Sequence, residues 1–345
     1  MPADLPIFGI FGGHESGKTT LVEELLPRLL ARGLSVAVAK VHGSRIEVDR
    51  PGKDSDRLYR AGADVLMHGR GEGFIRLHLG EDDPAAPHLA DLARRYDLVL
   101  VEGRKRAECP KVWLLGEGET APPTEAGEVL AALPRGSSRA EKAWNILEPW
   151  LARTWLRTPV YGCILIGGRS SRMGTPKHLL TRGGKTWLER TAELLRPTVG
   201  RVAVVGAGDV PAGLPDIIRL PDVPDAEGPM AGLLAAMRWA PEASWLVAAC
   251  DLPDLSGGAI EWLLSTRAPG VWATLPRLPE NAGVEPLLAH YDFRARGPLE
   301  ALAAGKQFSL SALAIHPKAA SPAPPADVLS AWRNVNTPDD LDRDR

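Results

Sequence analysis

Two stretches of this chain put small residues and cations where a polyphosphate could lie. The first, Gly12-Gly13-His14-Glu15-Ser16-Gly17-Lys18-Thr19, satisfies the spacing GxxxxGK[ST]. Backbone N–H groups at Gly12, Gly13 and Gly17, free of Cβ crowding, can converge on phosphate oxygens. Lys18 would neutralise the β- and γ-phosphates and Thr19 would offer its hydroxyl to Mg²⁺. His14, Glu15, Ser16 and Thr20 complete the candidate nucleotide contacts; a glycine turn with a chance lysine is the bland alternative. The second stretch, Leu165-Ile166-Gly167-Gly168-Arg169-Ser170-Ser171-Arg172-Met173-Gly174-Thr175-Pro176-Lys177, fits neither a Walker loop nor GxGxxG. Its small residues admit the main chain of a loop to a triphosphate, and Arg172 and Lys177 bring charge to it. By itself a basic surface loop is an equal reading.

Two carboxylates stand at the ends of apolar runs. Asp97-Leu98-Val99-Leu100-Val101 delivers Glu102, a candidate for water or Mg²⁺ contact, with a solvated charge at a strand end as an equal reading. Trp245-Leu246-Val247-Ala248-Ala249-Cys250 delivers Asp251 to the end of a strand where open α/β sheets bind ligands. Near the C-terminus, Asn334 and Asn336 would share one side of an extended segment and could support a metal or a substrate. Read singly, Asp251 could be a helix cap and the asparagines a turn; with the second loop they suggest a Mg²⁺-nucleotide site.

The elements that must position these groups are set by periodicity. Strands are expected at Ile7 to Phe11, Ser35 to Ala39, Asp97 to Val101 and Lys111 to Leu115. A helix over Lys18 to Arg32 presents Leu21, Leu25, Leu29 and Leu30 on one face and stops at Gly33. Another over Ser138 to Trp155 is followed by Thr158-Pro159, where the domain boundary is placed. The alternation then restarts: strand Val160 to Ile166, helix Thr186 to Arg196, strand Arg201 to Val205, helix Met230 to Trp239, strand Trp245 to Ala249. The expected fold is α/β, with two three-layer domains: a P-loop NTPase-like domain over residues 1–158 and a Rossmann-like domain of nucleotide-binding type over 159–345. Each half carries its own strand-loop-helix cradle and is expected to fold by itself.

Composition narrows the classes. The chain has 345 residues, 44% hydrophobic and 24% charged, which excludes disordered tails and disulfide scaffolds. Basic and acidic residues nearly cancel, 41 against 43, so bulk charge does not indicate a nucleic-acid partner. Cys109, Cys163 and Cys250 form no CxxC pair and read as buried reduced thiols. No apolar run reaches the roughly 18 residues of a membrane span, and a cytoplasmic protein without membrane association is expected. The Pro- and Ala-rich segment 317–327 reads as a surface connection.

Several of these motifs carry a family likeness. The P-loop, Lys40-Val41-His42, Gly52-Lys53-Asp54-Ser55, Ala61-Gly62-Ala63, Val101-Glu102-Gly103-Arg104-Lys105 and Pro110-Lys111 resemble the molybdopterin-guanine dinucleotide biosynthesis adaptor family (MobB), over roughly residues 5–155. The likeness implies GTP binding with weak GTPase activity in support of a partner enzyme, and a homodimer through the P-loop domain. From residue 160 to 342, GGxSxRMGxxK, Gly228-Pro229-Met230-Ala231-Gly232, Cys250-Asp251-Leu252-Pro253 and Asn334-Val335-Asn336-Thr337-Pro338 resemble the molybdenum cofactor guanylyltransferase family (MobA). That implies GTP and molybdenum-molybdopterin as substrates, with the guanine dinucleotide cofactor and pyrophosphate as products. Carried over, Leu165, Ile166, Gly167 and Gly168 meet the guanine nucleotide, Lys177 and Asp222 also touch it, and Asp251 holds Mg²⁺; Arg172 and Lys177 stabilise charge. Ile166 replaces the family's usual alanine, and Pro176 is more typical of cytidylyl relatives. Implied partners are a molybdenum-insertion protein and the recipient molybdoenzymes or their chaperones. A cytidylyltransferase, a sugar-phosphate or isoprenoid nucleotidyltransferase and a non-catalytic GTP-controlled cofactor carrier are the alternative readings.

Overall fold

The computed structural model describes residues 5–41, 49–79, 85–103, 108–167, 176–279 and 283–334. The first domain runs β1 (Ile7–Gly12), α1 (Lys18–Ala31), β2 (Val36–Lys40), α2 (Asp54–Arg60), β3 (Val65–His68), β4 (Gly73–Arg76), α3 (Ala86–Ala93), β5 (Leu98–Gly103), β6 (Lys111–Leu114), β7 (Val129–Leu133) and α4 (Arg139–Arg157). Its sheet has the order β2-β5-β1-β6-β7, every pair parallel. Parallel strands covered on both faces need continuous apolar runs, and β1 and β5 are buried at every position. Alternate residues face two layers. Phe8 and Ile10 pack with Leu25 of α1 and Leu147 of α4, while Ile7 and Phe11 pack with Leu89 of α3. Leu30, expected on the buried face of α1, is instead 56% exposed, because the stripe of Leu21, Leu25 and Leu29 already fills the contact with the sheet.

The second domain runs β8 (Val160–Leu165), β9 (Thr181–Arg182), β10 (Lys185–Thr186), α5 (Trp187–Leu195), β11 (Arg201–Val205), β12 (Ile218–Leu220), α6 (Gly228–Trp239), β13 (Ser244–Ala249), α7 (Gly257–Ser265), β14 (Ala273–Thr274), β15 (Leu288–Tyr291), α8 (Arg296–Ala304) and β16 (Ala319–Ala320). The large sheet has the order β12-β11-β8-β13-β15-β14-β16. Helices α6 and α8 cover one face and α5 and α7 the other. The parallel expectation holds from β12 to β13; β15 then runs antiparallel to both β13 and β14. Thr186 caps α5 in a reciprocal box with Glu189, whose carboxylate accepts from the Thr186 N–H. The Pro/Ala segment is more than a surface connection, since Ala319 and Ala320 pair with β14.

The two sheets meet along a built seam. The Asp97 carboxylate, fully buried, accepts from Ser35 of its own domain and from Trp272 Nε1 at 2.6 Å and Lys318 Nζ of the other. Arg294, buried in an ion pair with Asp292, donates through Nε to the Tyr96 carbonyl and lies over the Trp155 ring. Phe293 packs into the apolar layer of the first domain. Ser35 and Asp97 precede β2 and β5; Trp272 and Lys318 precede β14 and β16, whose register aligns them with the start of β13. The seam therefore joins the ends of the two sheets opposite the C-terminal ends of the parallel strands. Strands of six residues put roughly 20 Å between the seam and either end.

Candidate nucleotide sites

The first site forms where β1 hands over to α1. Gly17, at φ 85, turns the chain so that α1 starts at Lys18. Lys18 Nζ folds back over the loop and donates to the Gly12 carbonyl at 3.2 Å, the Gly13 carbonyl at 2.5 Å and Ser16 Oγ at 3.3 Å. Glu102, at the end of the neighbouring β5, is buried rather than solvated; it accepts from Thr19 Oγ1 at 3.1 Å and pairs with Lys40 at 3.4 Å. A cavity of about 440 Å³ is lined by His14 to Thr20, Lys40, Val41, Glu102 and Gly103. All of the sequence-predicted groups except the loop's opening glycines line it. Gly12 and Gly13 sit beneath, their carbonyls held by Lys18. His42, beside Val41 in the sequence, lies outside the described residues.

Sequence reasoning missed Arg139 and Arg135. Arg139, the first residue of α4, donates to Ser16 O at 2.6 Å, Leu115 O and Leu133 O at 3.1 Å and Pro134 O at 2.9 Å. Arg135 donates to Glu15 O at 3.0 Å. These carbonyls belong to segments far apart in sequence, so no local motif signals the contact. Burial and the neighbouring Arg135 lower the pKa of Arg139 from its ordinary value.

The second site forms at the C-terminal ends of β8, β11 and β13. Its cavity, about 490 Å³, is walled by Leu165, Ile166, Gly167, Val205, Ala207, Pro229 and Leu287, with Lys177, Asp222 and Asp251 as its charged groups. Lys177 Nζ donates to Asp251 Oδ2 at 2.8 Å, so the predicted cation and carboxylate meet across the mouth. Burial raises the pKa of Asp222. Gly206 is required by space: a Cβ there would stand 2.0 Å from the Ile166 carbonyl. Cys250 is buried and its thiol is pushed up to about 12, so it offers no nucleophile beside Asp251. Gly168, Arg172 and Asn336 lie outside the described residues. Asn334 is exposed after a short 3₁₀ turn, is assigned to no strand and is not among the residues that line this cavity. The chain folds Trp332 into the core just before it, with Nε1 donating to the Leu288 carbonyl.

Among the described residues no three His, Cys, Asp or Glu side chains gather as a metal cage. Mg²⁺ takes one or two carboxylates and completes its shell with water and substrate phosphates. Asp251 in the second site, and Glu102 with Thr19 in the first, have this chemistry.

Comparison with known proteins decides the assignment. The family model described as "MobA-like NTP transferase domain" matches residues 162–316, and "Molybdopterin guanine dinucleotide synthesis protein B" matches 7–133. A "Molybdopterin-guanine dinucleotide biosynthesis adapter protein" of Haemophilus influenzae is 37% identical over 138 residues, 39% of this chain and 76% of that protein. A "Probable molybdenum cofactor guanylyltransferase" of Bacillus anthracis is 30% identical over 158 residues, 44% of this chain and 78% of that one. The chain belongs to both families. It therefore joins an adaptor domain to a nucleotidyltransferase domain of molybdenum cofactor biosynthesis. Among solved structures, Bacillus subtilis MobB is 30% identical, covering 39% of this chain and 82% of its own, with TM-score 0.33. Molybdopterin-guanine dinucleotide biosynthesis protein A of Archaeoglobus fulgidus is 24% identical, covering 53% and 95%, with TM-score 0.40.

Proposed function

We propose that the transferase domain moves GMP from GTP to molybdenum-loaded molybdopterin, releasing pyrophosphate. The observation that carries the reading is the Lys177–Asp251 pair, 2.8 Å apart at the mouth of the transferase cavity. The terminal phosphate oxygen of molybdopterin attacks the α-phosphorus of GTP in line; the new P–O bond forms as the bond to the β-phosphate breaks, and pyrophosphate leaves. Lys177 is released from Asp251 to donate to triphosphate oxygens, Asp222 meets the nucleotide, and Asp251 supplies the carboxylate that would hold Mg²⁺. When bound, that ion neutralises charge on the phosphates. Loop amides around Gly167 and Arg172 add to that neutralisation. Leu165, Ile166 and Gly167 pack against the nucleotide, and Gly167-Gly168, where cytidylyl relatives have Ala-Gly, favour guanine over cytosine. No covalent enzyme intermediate is needed. Competition of GTP with CTP in one reaction, read by the mass of the dinucleotide formed, tests the reading; a cytosine product would overturn the base assignment.

The adaptor domain binds GTP on residues 12–20, with Thr19 and Glu102 toward Mg²⁺, and hydrolyses it slowly. It serves exchange with a molybdenum-insertion protein and with recipient enzymes or their chaperones. Leu66 and Ile75, on the β3-β4 hairpin, are 66% and 60% exposed, and Val38 of the edge strand β2 is 44% exposed. Exposed apolar side chains on the hairpin and on an edge strand support a homodimer through the adaptor domain. Sedimentation of the wild type beside Leu66→Lys tests it, with a shift to monomer expected in the variant.

A further inference from the structure

The P-loop is flanked by two clefts. On the β5 and β2 side lie Lys40, Glu102 and the Thr19 hydroxyl, the groups suited to phosphate and Mg²⁺. A nucleotide with its phosphates fixed there is long enough to carry its base across the loop toward β6 and β7. A second cleft, of about 260 Å³, opens on that side and shares Glu15, Ser16, Gly17 and Thr20 with the first. Its walls are α1, through Thr20 and Glu24, and the turn from β7 to α4, through Arg135, Gly136 and Arg139.

The cleft is held open from below. Arg139 ties the P-loop at Ser16 to the ends of β6 and β7, and Arg135 ties the turn to Glu15. Glu24 lies one helical turn beyond Thr20, on the same face of α1, and is exposed. Among the described residues it makes no ion pair or hydrogen bond. A carboxylate accepts twice, which matches the N1–H and N2–H donors of guanine. Adenine presents a lone pair at N1 against it, and hypoxanthine lacks the 2-amino group.

We propose that this cleft receives the base of the nucleotide held by the P-loop, with Glu24 as the residue that reads guanine and Arg139 as a positioning residue for the loop. The proposal rests on the reading of the adaptor domain as a GTP binder. It adds that base choice in this domain comes from α1 and the turn before α4.

The test uses the full chain, a fluorescent N-methylanthraniloyl GTP, and GTP, ITP and ATP as competitors. Binding at the adaptor site is the component that Lys18→Ala removes. For that component the wild type should prefer GTP to ITP and ITP to ATP, by roughly tenfold for each hydrogen bond to the charged group. Glu24→Ala should bring the three within about threefold, and Glu24→Gln, which keeps one acceptor and a helix-compatible side chain, should fall between. Arg139→Ala should weaken all three alike. Unchanged ratios in a Glu24→Ala chain that still binds, or a wild type without base preference, overturn the assignment. A complete absence of Lys18-dependent binding overturns the reading of the domain itself, which is a separate result.

Discussion

The two cradles enclose nearly equal space, about 440 and 490 Å³, yet grip by different means. In the adaptor domain the loop itself lines the cavity, and the acid that faces it, Glu102, is already engaged by Thr19 and Lys40. In the transferase domain the charges are side chains, Lys177, Asp222 and Asp251, set between apolar walls at Leu165 and Leu287. Main-chain donors hold a phosphate group whatever the rest of the ligand carries. On the proposed reading, side-chain charges on an open, partly apolar mouth leave room for a second substrate to approach the α-phosphorus. The seam adds to the contrast. It lies at the opposite end of each sheet from its cradle.

Breaking one cradle should therefore leave the other working. The largest effect is expected at Asp251, where Asp251→Asn keeps size and capping ability but removes the charge. Transfer should slow by about 10²–10³, while stability should shift by about 0.5 kcal/mol. Turnover against Mg²⁺ concentration beside a thermal melt reads both, and unchanged turnover would remove Asp251 from the metal site. Lys18→Ala should abolish hydrolysis in the adaptor domain and leave transfer at saturating substrates intact. Equal loss of both activities in a folded chain would contradict two independent sites.

The seam offers a smaller effect of another kind. Asp97→Ala leaves Lys318, Trp272 and Ser35 without their shared acceptor and should cost about 3 kcal/mol. Calorimetry should then resolve two melting transitions where the wild type gives one. A transferase domain beginning at Pro159 would lose the same contacts and should melt below the full chain. The smallest effect concerns acid. His290, fully buried on β15, is depressed to about 3 by burial and by Arg267. Its unfolded form takes up a proton near pH 6.5 while the folded form stays neutral. Stability should therefore fall as pH drops below about 6.5, and His290→Leu should flatten that part of the melting curve.

Much of this architecture is legible in the sequence because it is local. The P-loop, its strand and its helix succeed one another within residues 7–31, and the Ser244–Ala249 strand leads straight to Asp251. The helix from Arg139 to Arg157 announces itself by its apolar spacing and ends beside the expected boundary. Contacts across long separations are not legible. Arg139 reads as one more surface cation until the fold brings Ser16, Leu115 and Leu133 beneath it. Asp97 reads as the polar start of a strand until Trp272 and Lys318 arrive from the other domain. The β3-β4 hairpin and the antiparallel β15 escape because short strands that include His68, Arg76 or His290 break the apolar run.

The most direct measurement incubates the full chain with molybdenum-loaded molybdopterin, Mg²⁺ and equal GTP and CTP, and monitors pyrophosphate release together with the mass of the dinucleotide product. The account predicts stoichiometric pyrophosphate and the guanine dinucleotide, retained in Lys18→Ala and lost in Asp251→Asn. Pyrophosphate release that survives Asp251→Asn but disappears in Lys18→Ala would contradict it.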